Sequence, residues 1–387
     1  MRHGRVRLVR NQEDRNPPGT APISPINTFD PLAGGGTTTI EVDIVEDPNG
    51  GHPTITHVKS FVSLSGTIVN CAGGPTPWKS WLTCEEDVRG VKEGFSRSHG
   101  WVFDVPASAD GPIVPVALTA MGRFSHEAVA VDPTTGIVYE TEDNGFPPGS
   151  GFFRFLPNRA QDLAQGGRLQ MARIAGSPKL EIWRGSTIGI EVGDTFDVEW
   201  VDIPIVDPDP NDQLDEDDRL AAVFLQGYDQ GGVVFNRLEG CWYGDSSIYF
   251  HDTRGGAVTR GHVWRYIPGR VPSDGGKLVL LFESPNVDVL DSPDNLTVSP
   301  RGGLVLCEDG SGTQFLRGLT PRGEIFTFAQ NNLNGQEFAG ACYSPDGEVL
   351  FVNIQGATSG NPVVTGANPA LRGLTMAITG PWRRGAL

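Results

Sequence analysis

The chain has 387 residues, a formal net charge of −17 and only 20% charged residues, together with 51 glycines and 30 prolines. This composition is typical of a soluble, turn-rich β protein. The sequence contains no run of about 18 apolar residues, so a membrane is not an expected partner. The acidic charge also excludes nucleic acid as an expected partner, because phosphate backbones are bound through clustered Lys and Arg.

The first predicted strand is the run 6–9, Val-Arg-Leu-Val. We expect it to pair with the C-terminal strands, because such closure removes exposed sheet edges. Residues 1–10 hold no apolar segment of an export signal. Since the chain opens directly in a strand, an upstream leader lost from this sequence is an open alternative. The five cysteines contain no CxxC pair, so neither a disulfide framework nor structural zinc is expected.

Four segments share one plan, in which an acid precedes an alternating strand, a turn and a second strand. Their acids are Glu127, Glu239, Asp294 and Glu337. Each acid lies an even number of residues before its turn. Side chains alternate with period two along a strand, so the four acids should occupy the same relative side of their hairpins.

The spacing of these segments and of Cys84 is close to a propeller blade of about 40 to 50 residues. The interval from Glu127 to Glu239 is about twice as long, and we expect it to contain a further unit with strand-like runs at 180–185 and 196–201. The sequence therefore predicts an all-β, six-bladed β-propeller, with 1–387 as a single domain and a site on its central axis.

Helical signals are sparse, and the segment 158–169 is at most a short surface helix. The acidic segment 207–218 begins like a calcium loop, but it lacks the glycine at the sixth position and the closing Glu. We expect a solvated loop there, with a weak calcium site as the alternative.

The strongest local signal is the stretch 66–87, in which two strand-like runs flank a Gly/Pro loop. The second run ends in Cys84 followed by Glu85, Glu86 and Asp87. Adjacent carboxylates repel one another, so such a run favours bound cations. The alternative is an exposed acidic strand end beside a buried structural cysteine.

Acids also recur where second strands end, at Glu142-Asp143, Asp252 and Glu308-Asp309. Several blades would thus direct carboxylates at one axis, where oxygen ligands suit calcium, magnesium or manganese and a thiolate could also hold iron. Arg237 lies two residues before Glu239 and would clamp phosphate oxygens or form an ordinary ion pair. His126 is expected to pack or to support a ligand. No Gly-x-Ser-x-Gly, Walker or His-Glu-x-x-His motif is present, which favours metal-assisted chemistry.

The stretch 70–86, Asn-Cys-Ala-Gly-Gly-Pro-Thr-Pro-Trp-Lys-Ser-Trp-Leu-Thr-Cys-Glu-Glu, closely resembles the PhoX family of bacterial alkaline phosphatases. The resemblance continues through 8–13, 125–128, 237–239, 292–296 and 350–355, and so covers essentially the whole chain. It implies a six-bladed propeller with a cluster of Ca2+ and Fe3+ on its axis.

The same resemblance implies roles for individual residues. Cys84 is similar to the bridging thiolate, Glu127 and Glu239 to iron-side carboxylates, and Arg237 to the phosphate-binding arginine. The calcium-side candidates are Glu85, Asp143, Glu308, Asp309 and Glu337. The repeat adds Asp294 to these metal ligands.

The chain departs from the family pattern at Gln12, Leu238 and Gly356, where the family has His, Pro and the start of a His-Pro-Gly. The family's twin-arginine leader is missing, although the resemblance implies a periplasmic or secreted protein. We expect a monomer that hydrolyses a small-molecule phosphate ester. The alternatives are a calcium-dependent lactonase, which needs no thiolate, and a non-catalytic binding propeller.

Overall fold

The structure is a computed structural model that describes residues 3–49, 51–145, 147, 149–356, 373–382, 385 and 387. The first three strands form one antiparallel sheet in the order β1-β2-β3. They are β1 (His3–Gln12), β2 (Gly35–Val45) and β3 (Thr54–Thr67). The strand β1 pairs with β2 along its whole length, from His3 opposite Val45 to Gln12 opposite Gly36.

This pairing corrects the expectation that the run 6–9 joins the C-terminal strands. The two ends of the described chain meet through side-chain packing instead. Ile40, Val42 and Ile44 of β2 pack against Val349 and Phe351 near the C-terminus. Both sheets therefore bury an apolar face without sharing a strand.

Four further sheets follow along the chain, each of them antiparallel. A three-stranded sheet comprises β4 (Asn70–Pro75), β5 (Ser80–Glu85) and β6 (Val102–Pro106). A nine-stranded sheet comprises β7 (His126–Val131), β8 (Val138–Glu142), β9 (Phe152–Pro157), β10 (Gly167–Ile174), β11 (Thr195–Asp202), β12 (Leu238–Gly244), β13 (Ser247–Asp252), β14 (His262–Pro268) and β15 (Gly276–Glu283). The last two sheets comprise β16 (Pro293–Val298), β17 (Leu304–Glu308), β18 (Phe315–Leu319) and β19 (Ile325–Gln330), and β20 (Phe338–Tyr343), β21 (Val349–Ile354) and β22 (Leu374–Thr379).

The expectation of a β fold is confirmed, but the count of six blades is not. The nine-stranded sheet consists of two meanders, β7 to β10 and β12 to β15, joined through β11. The unit expected between Glu127 and Glu239 does not form a separate sheet. Its run 196–201 lies in β11, and its run 180–185 leads into a 3-10 helix at Ile182–Ile188.

The first strands of the successive meanders lie side by side. β4 contacts β7, β7 contacts β12, β12 contacts β16, and β16 contacts β20, while β1 also contacts β4. Two glycines show how closely they approach. A Cβ at Gly74 of β4 would lie 1.9 Å from the carbonyl oxygen of Val129 in β7, and a Cβ at Gly240 of β12 would lie 2.8 Å from the backbone nitrogen of Leu296 in β16. The beginnings of these strands therefore converge on one region.

The helices are few among the described residues. The α-helix α1 spans Glu216–Asp229, and short 3-10 helices lie at Val91–Glu93, Thr119–Met121, Leu163–Gln165, Ile182–Ile188 and Pro272–Asp274. The helix expected within 158–169 is reduced to the single turn Leu163–Gln165. The sequence prediction missed α1, whose first turn carries three acids that favour a helix N-terminus. No helix in the described part of the chain is long and apolar enough to cross a membrane.

The acidic segment 207–218 is neither freely solvated nor open to calcium at its two buried acids. Asp212 accepts from the guanidinium of Arg123, and Asp209 accepts from Nε of Arg219 at 2.9 Å. Both arginines are almost fully buried. Because these carboxylates are already neutralised by buried cations, the segment is a fixed part of the fold that anchors α1.

Candidate metal centre

Five hairpins carry a β-bulge near the beginning of the first strand. The bulge of β20, between Ala339 and Cys342, holds Gly340 and Ala341, and the other four bulges hold a thiol or an acid. The register shifts between Asn70 and Gly73, His126 and Val129, Leu238 and Cys241, and Pro293 and Asn295. A bulge leaves one strand residue unpaired and redirects its side chain, and bulges are common beside functional sites. The residues that occupy this position are Cys71, Glu127, Glu239 and Asp294.

A second set of acids comes directly after the end of a strand. Glu86 follows β5, Asp143 follows β8, and Asp309 follows β17. Glu13 comes directly after β1, and Glu337 directly before β20. Because the first strands lie side by side, the bulge residues and these acids come from several sheets to one place.

The tightest part of this cluster contains a thiol. Glu13, Cys71 and Glu86 each offer one ligand atom, and these atoms lie within 4.8 Å of one another. Glu127 is buried, and neither of its carboxylate oxygens has a hydrogen-bond partner of normal geometry among the described residues. The Cys71 thiol lowers the pKa of Glu127, but burial and the charge of Glu86 raise it by more.

The electrostatics show how costly this cluster is without a cation. Burial, followed by neighbouring carboxylates, raises the pKa of Glu86, Glu127, Glu239 and Glu337 well above the ordinary range. The same causes raise the pKa of Asp294 to about 7. Burial and the charges of Glu127 and Glu86 raise the pKa of the Cys71 thiol. Buried carboxylates and a thiol with unmet bonding capacity form a donor set that fits calcium and iron.

Two arginines lie among these acids. Nη2 of Arg237 lies 2.8 Å from Oδ2 of Asp143 and 2.7 Å from Oε1 of Glu239. Nη2 of Arg15 lies 2.8 Å from Oε2 of Glu86 and also contacts Glu13. Burial lowers the pKa of Arg237, but Glu239 and Asp143 raise it by more, so the guanidinium stays charged. Within the described residues Nη1 of Arg237 has no acceptor, which leaves a donor for a bound anion.

Backbone geometry also marks Arg237. Its φ is +60°, in the left-handed region that a non-glycine residue seldom occupies. Its amide nitrogen donates to Oγ of Ser150 at 2.8 Å, which helps to hold this conformation. The turn places the guanidinium between acids of two hairpins.

The structure does not place every predicted site residue in the cluster. Cys84 lies opposite the bulge, in β5, and packs among core residues such as Leu82, Val102 and Phe153. Burial raises the pKa of its thiol, and the charge of Glu127 contributes. The geometry therefore favours Cys71 over Cys84 as the ligand thiol.

Glu85 and Glu308, both expected to be calcium ligands, have other partners. Oε1 of Glu85 lies 2.7 Å from Nδ1 of His99, and its second oxygen accepts from the amides of Gly100 and Trp101. Glu308 accepts from Nε of Arg317 at 2.7 Å and from the amide of Asp291. Each acid ends its second strand and holds neighbouring loops, so its carboxylate is already satisfied by protein donors.

Of the predicted residues, the structure brings together Glu127, Asp143, Arg237, Glu239, Asp294, Asp309 and Glu337, with Asp309 exposed at the rim. The cluster also contains Glu13, Arg15, Cys71 and Glu86, which the sequence analysis did not select as site residues, although it named Glu86 in the acidic run after Cys84. Two signals pointed to them. Cys71 begins a first strand as Glu127 does, and Glu86 is the second acid of a pair, as are Asp143 and Asp309.

The departures from the family pattern lie close to the cluster. Nε2 of Gln12 donates to Oγ1 of Thr38 at 3.1 Å, and Leu238 is the buried first residue of β12. Gln355 donates to Oε2 of Glu13 at 2.6 Å, so the motif 350–355 reaches the cluster. Gly356 is described, and residues 357–372 after it are outside the described part.

A cavity of about 550 Å3 opens beside the cluster. Glu86, Asp143, Arg15 and Arg237 of the cluster line it. We call this cavity the mouth. It connects the acids and the free donor of Arg237 to solvent, as a substrate site requires.

Comparison with known proteins shows the family to which the chain belongs. The family model described as alkaline phosphatase PhoX matches residues 3–358. No curated protein matches the chain. Among solved structures, the chain is similar to the calcium-binding protein regucalcin from Agrobacterium tumefaciens, with 13% identity, 95% of this chain and 92% of that chain covered, and a TM-score of 0.43. It is also similar to a gluconolactonase from Xanthomonas campestris, with 12% identity, coverages of 81% and 78%, and a TM-score of 0.42. These two similarities are too low to carry an argument about activity.

Proposed function

Because the chain belongs to the PhoX family of alkaline phosphatases, we propose that it is a metal-dependent phosphatase that hydrolyses phosphate monoesters in the mouth. The observation that carries this proposal is the convergence of a thiol, unpartnered buried carboxylates and an arginine with a free donor. We extend the proposal to the number of blades. Counting the two meanders of the nine-stranded sheet separately supports a six-bladed propeller in one domain.

The residues of the cluster suggest which side chains would bind the metal ions. We propose Cys71 as the thiolate in place of Cys84, with Glu127 and Glu239 on the iron side, and Glu86 and Glu13 nearby. Asp143, Asp294, Asp309 and Glu337 supply further oxygen ligands, and calcium accepts several of these. When bound, the metal ions supply charge neutralisation for the phosphate and an activated nucleophile.

Arg237 has the task of binding and orienting the phosphate. Its Nε and Nη2 hold Asp143 and Glu239, which fixes the direction of the guanidinium plane. Its Nη1 can then donate to a phosphate oxygen without reorganisation. Arg15, which also lines the mouth, holds Glu13 and Glu86 in the same way.

The test combines metal analysis with an assay. Protein reconstituted with Ca2+ and Fe3+ should release phosphate from p-nitrophenyl phosphate in proportion to its content of both metals. A lactone substrate serves as the control, because a lactonase needs calcium and no thiolate. Protein shown to hold both metals but inactive on phosphate esters would contradict the proposal, and lactone hydrolysis with calcium alone would favour the alternative. A protein that binds no transition metal would favour the non-catalytic binding propeller.

A further inference from the structure

The mouth is also lined by residues that are not part of the metal cluster. Two of them, Glu216 and Leu220, belong to α1. Two others, Asn236 and Arg254, belong to the chain segments next to Arg237. The amide of Arg254 donates to the carbonyl oxygen of Asn236 at 3.3 Å, so Arg254 stands directly beside the backbone that carries Arg237.

The α1 side of the mouth is held rigidly. Arg219 of α1 is buried and donates to Asp209 at 2.9 Å, to Glu93 at 3.1 Å and to the carbonyl oxygen of Val88 at 3.2 Å. Val223 and Phe224 are fully buried in the core below the helix. A wall anchored by buried ion pairs and apolar contacts keeps its side chains in place when a ligand binds.

The two sides carry opposite charges. Arg237 and Arg15 are engaged by carboxylates, whereas Arg254 is exposed and has no ion pair in the described part of the chain. Glu216 likewise has no ion pair among the described residues. Burial raises its pKa, as do the charges of Asp87 and Glu93, while the charge of Arg89 lowers it. Within the described residues, Arg254 therefore adds an unpaired positive charge beside Arg237, and Glu216 adds an unpaired negative charge on α1.

We propose that the α1 side of the mouth is a leaving-group subsite for phosphate monoesters whose leaving group has an apolar part and no further negative charge. This inference rests on the proposed function. Arg254 and Arg237 attract the phosphate to their side, so the remainder of the ester extends toward α1. There Leu220 contacts the apolar part, and Glu216 repels a second anionic group. Esters with a second phosphate or a carboxylate should thus be poor ligands.

The test measures binding by calorimetry, with the metal-loaded protein and two compounds that cannot be hydrolysed. Phenylphosphonate carries an apolar group, and 3-phosphonopropionate carries a second anionic group without forming the strong metal chelate of a bisphosphonate. Wild-type protein should bind phenylphosphonate more tightly. Glu216→Gln should reduce the ratio of the two dissociation constants by about three- to tenfold, because the repulsion of one screened charge at short range changes affinity by that much. Asp217→Asn is the matched control, since this exposed residue lies on the same helical turn and does not line the mouth.

Two further variants separate the parts of the subsite. Arg254→Gln should weaken both ligands to a similar degree, and Leu220→Asn should weaken phenylphosphonate alone. An unchanged difference in Glu216→Gln, an equal effect in Asp217→Asn, or no binding of either phosphonate overturns the inference. Hydrolysis of p-nitrophenyl phosphate, measured on the same samples, reports separately on the proposed function. Binding that depends on Glu216 without hydrolysis would reject the phosphatase and keep the subsite.

Discussion

At the scale of single residues, the β4–β5 hairpin contains two cysteines with different surroundings. Cys71 lies in the bulge, within reach of Glu13 and Glu86, whereas Cys84 lies opposite the bulge among apolar side chains. Both thiols have raised pKa values through burial, followed by the charge of Glu127. What separates them is access to a shared ligand position, which only Cys71 has.

We therefore expect opposite results from two alanine variants. Cys71→Ala should lose bound iron and most phosphatase activity with little change in the stability of the metal-free protein. Cys84→Ala should keep iron but lower the free energy of unfolding by about 1 kcal/mol, because it leaves a small cavity in the core. Elemental analysis and urea denaturation of both variants measure these effects. Iron loss in Cys84→Ala with iron kept in Cys71→Ala would restore Cys84 as the ligand.

At the scale of strands and loops, Glu85 ends β5 within a buried network. His99 is fully buried, and its ring nitrogens face Glu85 at 2.7 Å and Asp30 at 3.4 Å. Burial lowers the pKa of His99, but Glu85 and Asp30 raise it by more, to about 9. The network joins β5 to the loops before β6 and between β1 and β2.

This network predicts a loss of stability on the alkaline side. The folded pKa of His99 lies above the unfolded value of about 6.5, so its contribution is complete below pH 6.5 and disappears as the pH rises through about 9. The contribution is on the order of 3 kcal/mol. His99→Gln should lower stability at pH 6 and, in protein loaded with Ca2+ and Fe3+, remove most of the decline between pH 6.5 and 9 in chemical denaturation. His57→Gln, at an exposed position of β3, is the control and should keep the wild-type profile.

Close packing of first strands gives a second prediction at this scale. Gly74→Ala would force a methyl group against the carbonyl oxygen of Val129, where only 1.9 Å is available. We expect a loss of about 3 kcal/mol in stability from overpacking. Metal affinity should also fall about 10- to 100-fold, because β7 carries Glu127. Gly4→Ala, in a strand position with open space around it, should change neither quantity in denaturation and metal titration.

At the scale of the whole molecule, the repeat explains which of the predicted residues lie together in the structure and which do not. Alternation along strands was enough to group Glu127, Glu239 and Asp294, because each has an equivalent bulge position. A bulge itself breaks the period of two, so alternation along the strand does not locate it. The prediction therefore aligned Cys84 with the acids and could not distinguish the first acid of a pair, which binds loops, from the second.

The blade count depended on a similar assumption. Regular spacing implied a unit between Glu127 and Glu239, but that interval contains β11 and α1, which do not form a sheet of their own. The strand β11 joins two meanders, and α1 forms a wall of the mouth. An insertion of this kind lengthens the interval without adding a sheet, so spacing alone cannot count the units.

The convergence of acids from most of the chain predicts an unusual pH dependence for the metal-free protein. Burial, followed by neighbouring carboxylates, raises the pKa of Glu127 well above its usual value and that of Asp294 to about 7. The folded protein then binds more protons than the unfolded chain, so stability must fall as the pH rises from about 4 through 7. Bound cations should remove this loss, because the acids are then neutralised at every pH in the range.

Chemical denaturation between pH 5 and 8, with chelator or with Ca2+ and Fe3+, measures both effects. The metal-free double variant Glu127→Gln with Asp294→Asn should lose less stability with rising pH than the metal-free wild type. The difference between the two pH profiles gives the contribution of these acids separately from that of His99, which both proteins retain. Glu324→Gln, an exposed acid outside the cluster, is the control and should behave as the wild type. Equal pH profiles for the metal-free wild type and the double variant would mean that these acids do not meet as buried neighbours. The metal centre would then need a different set of ligands.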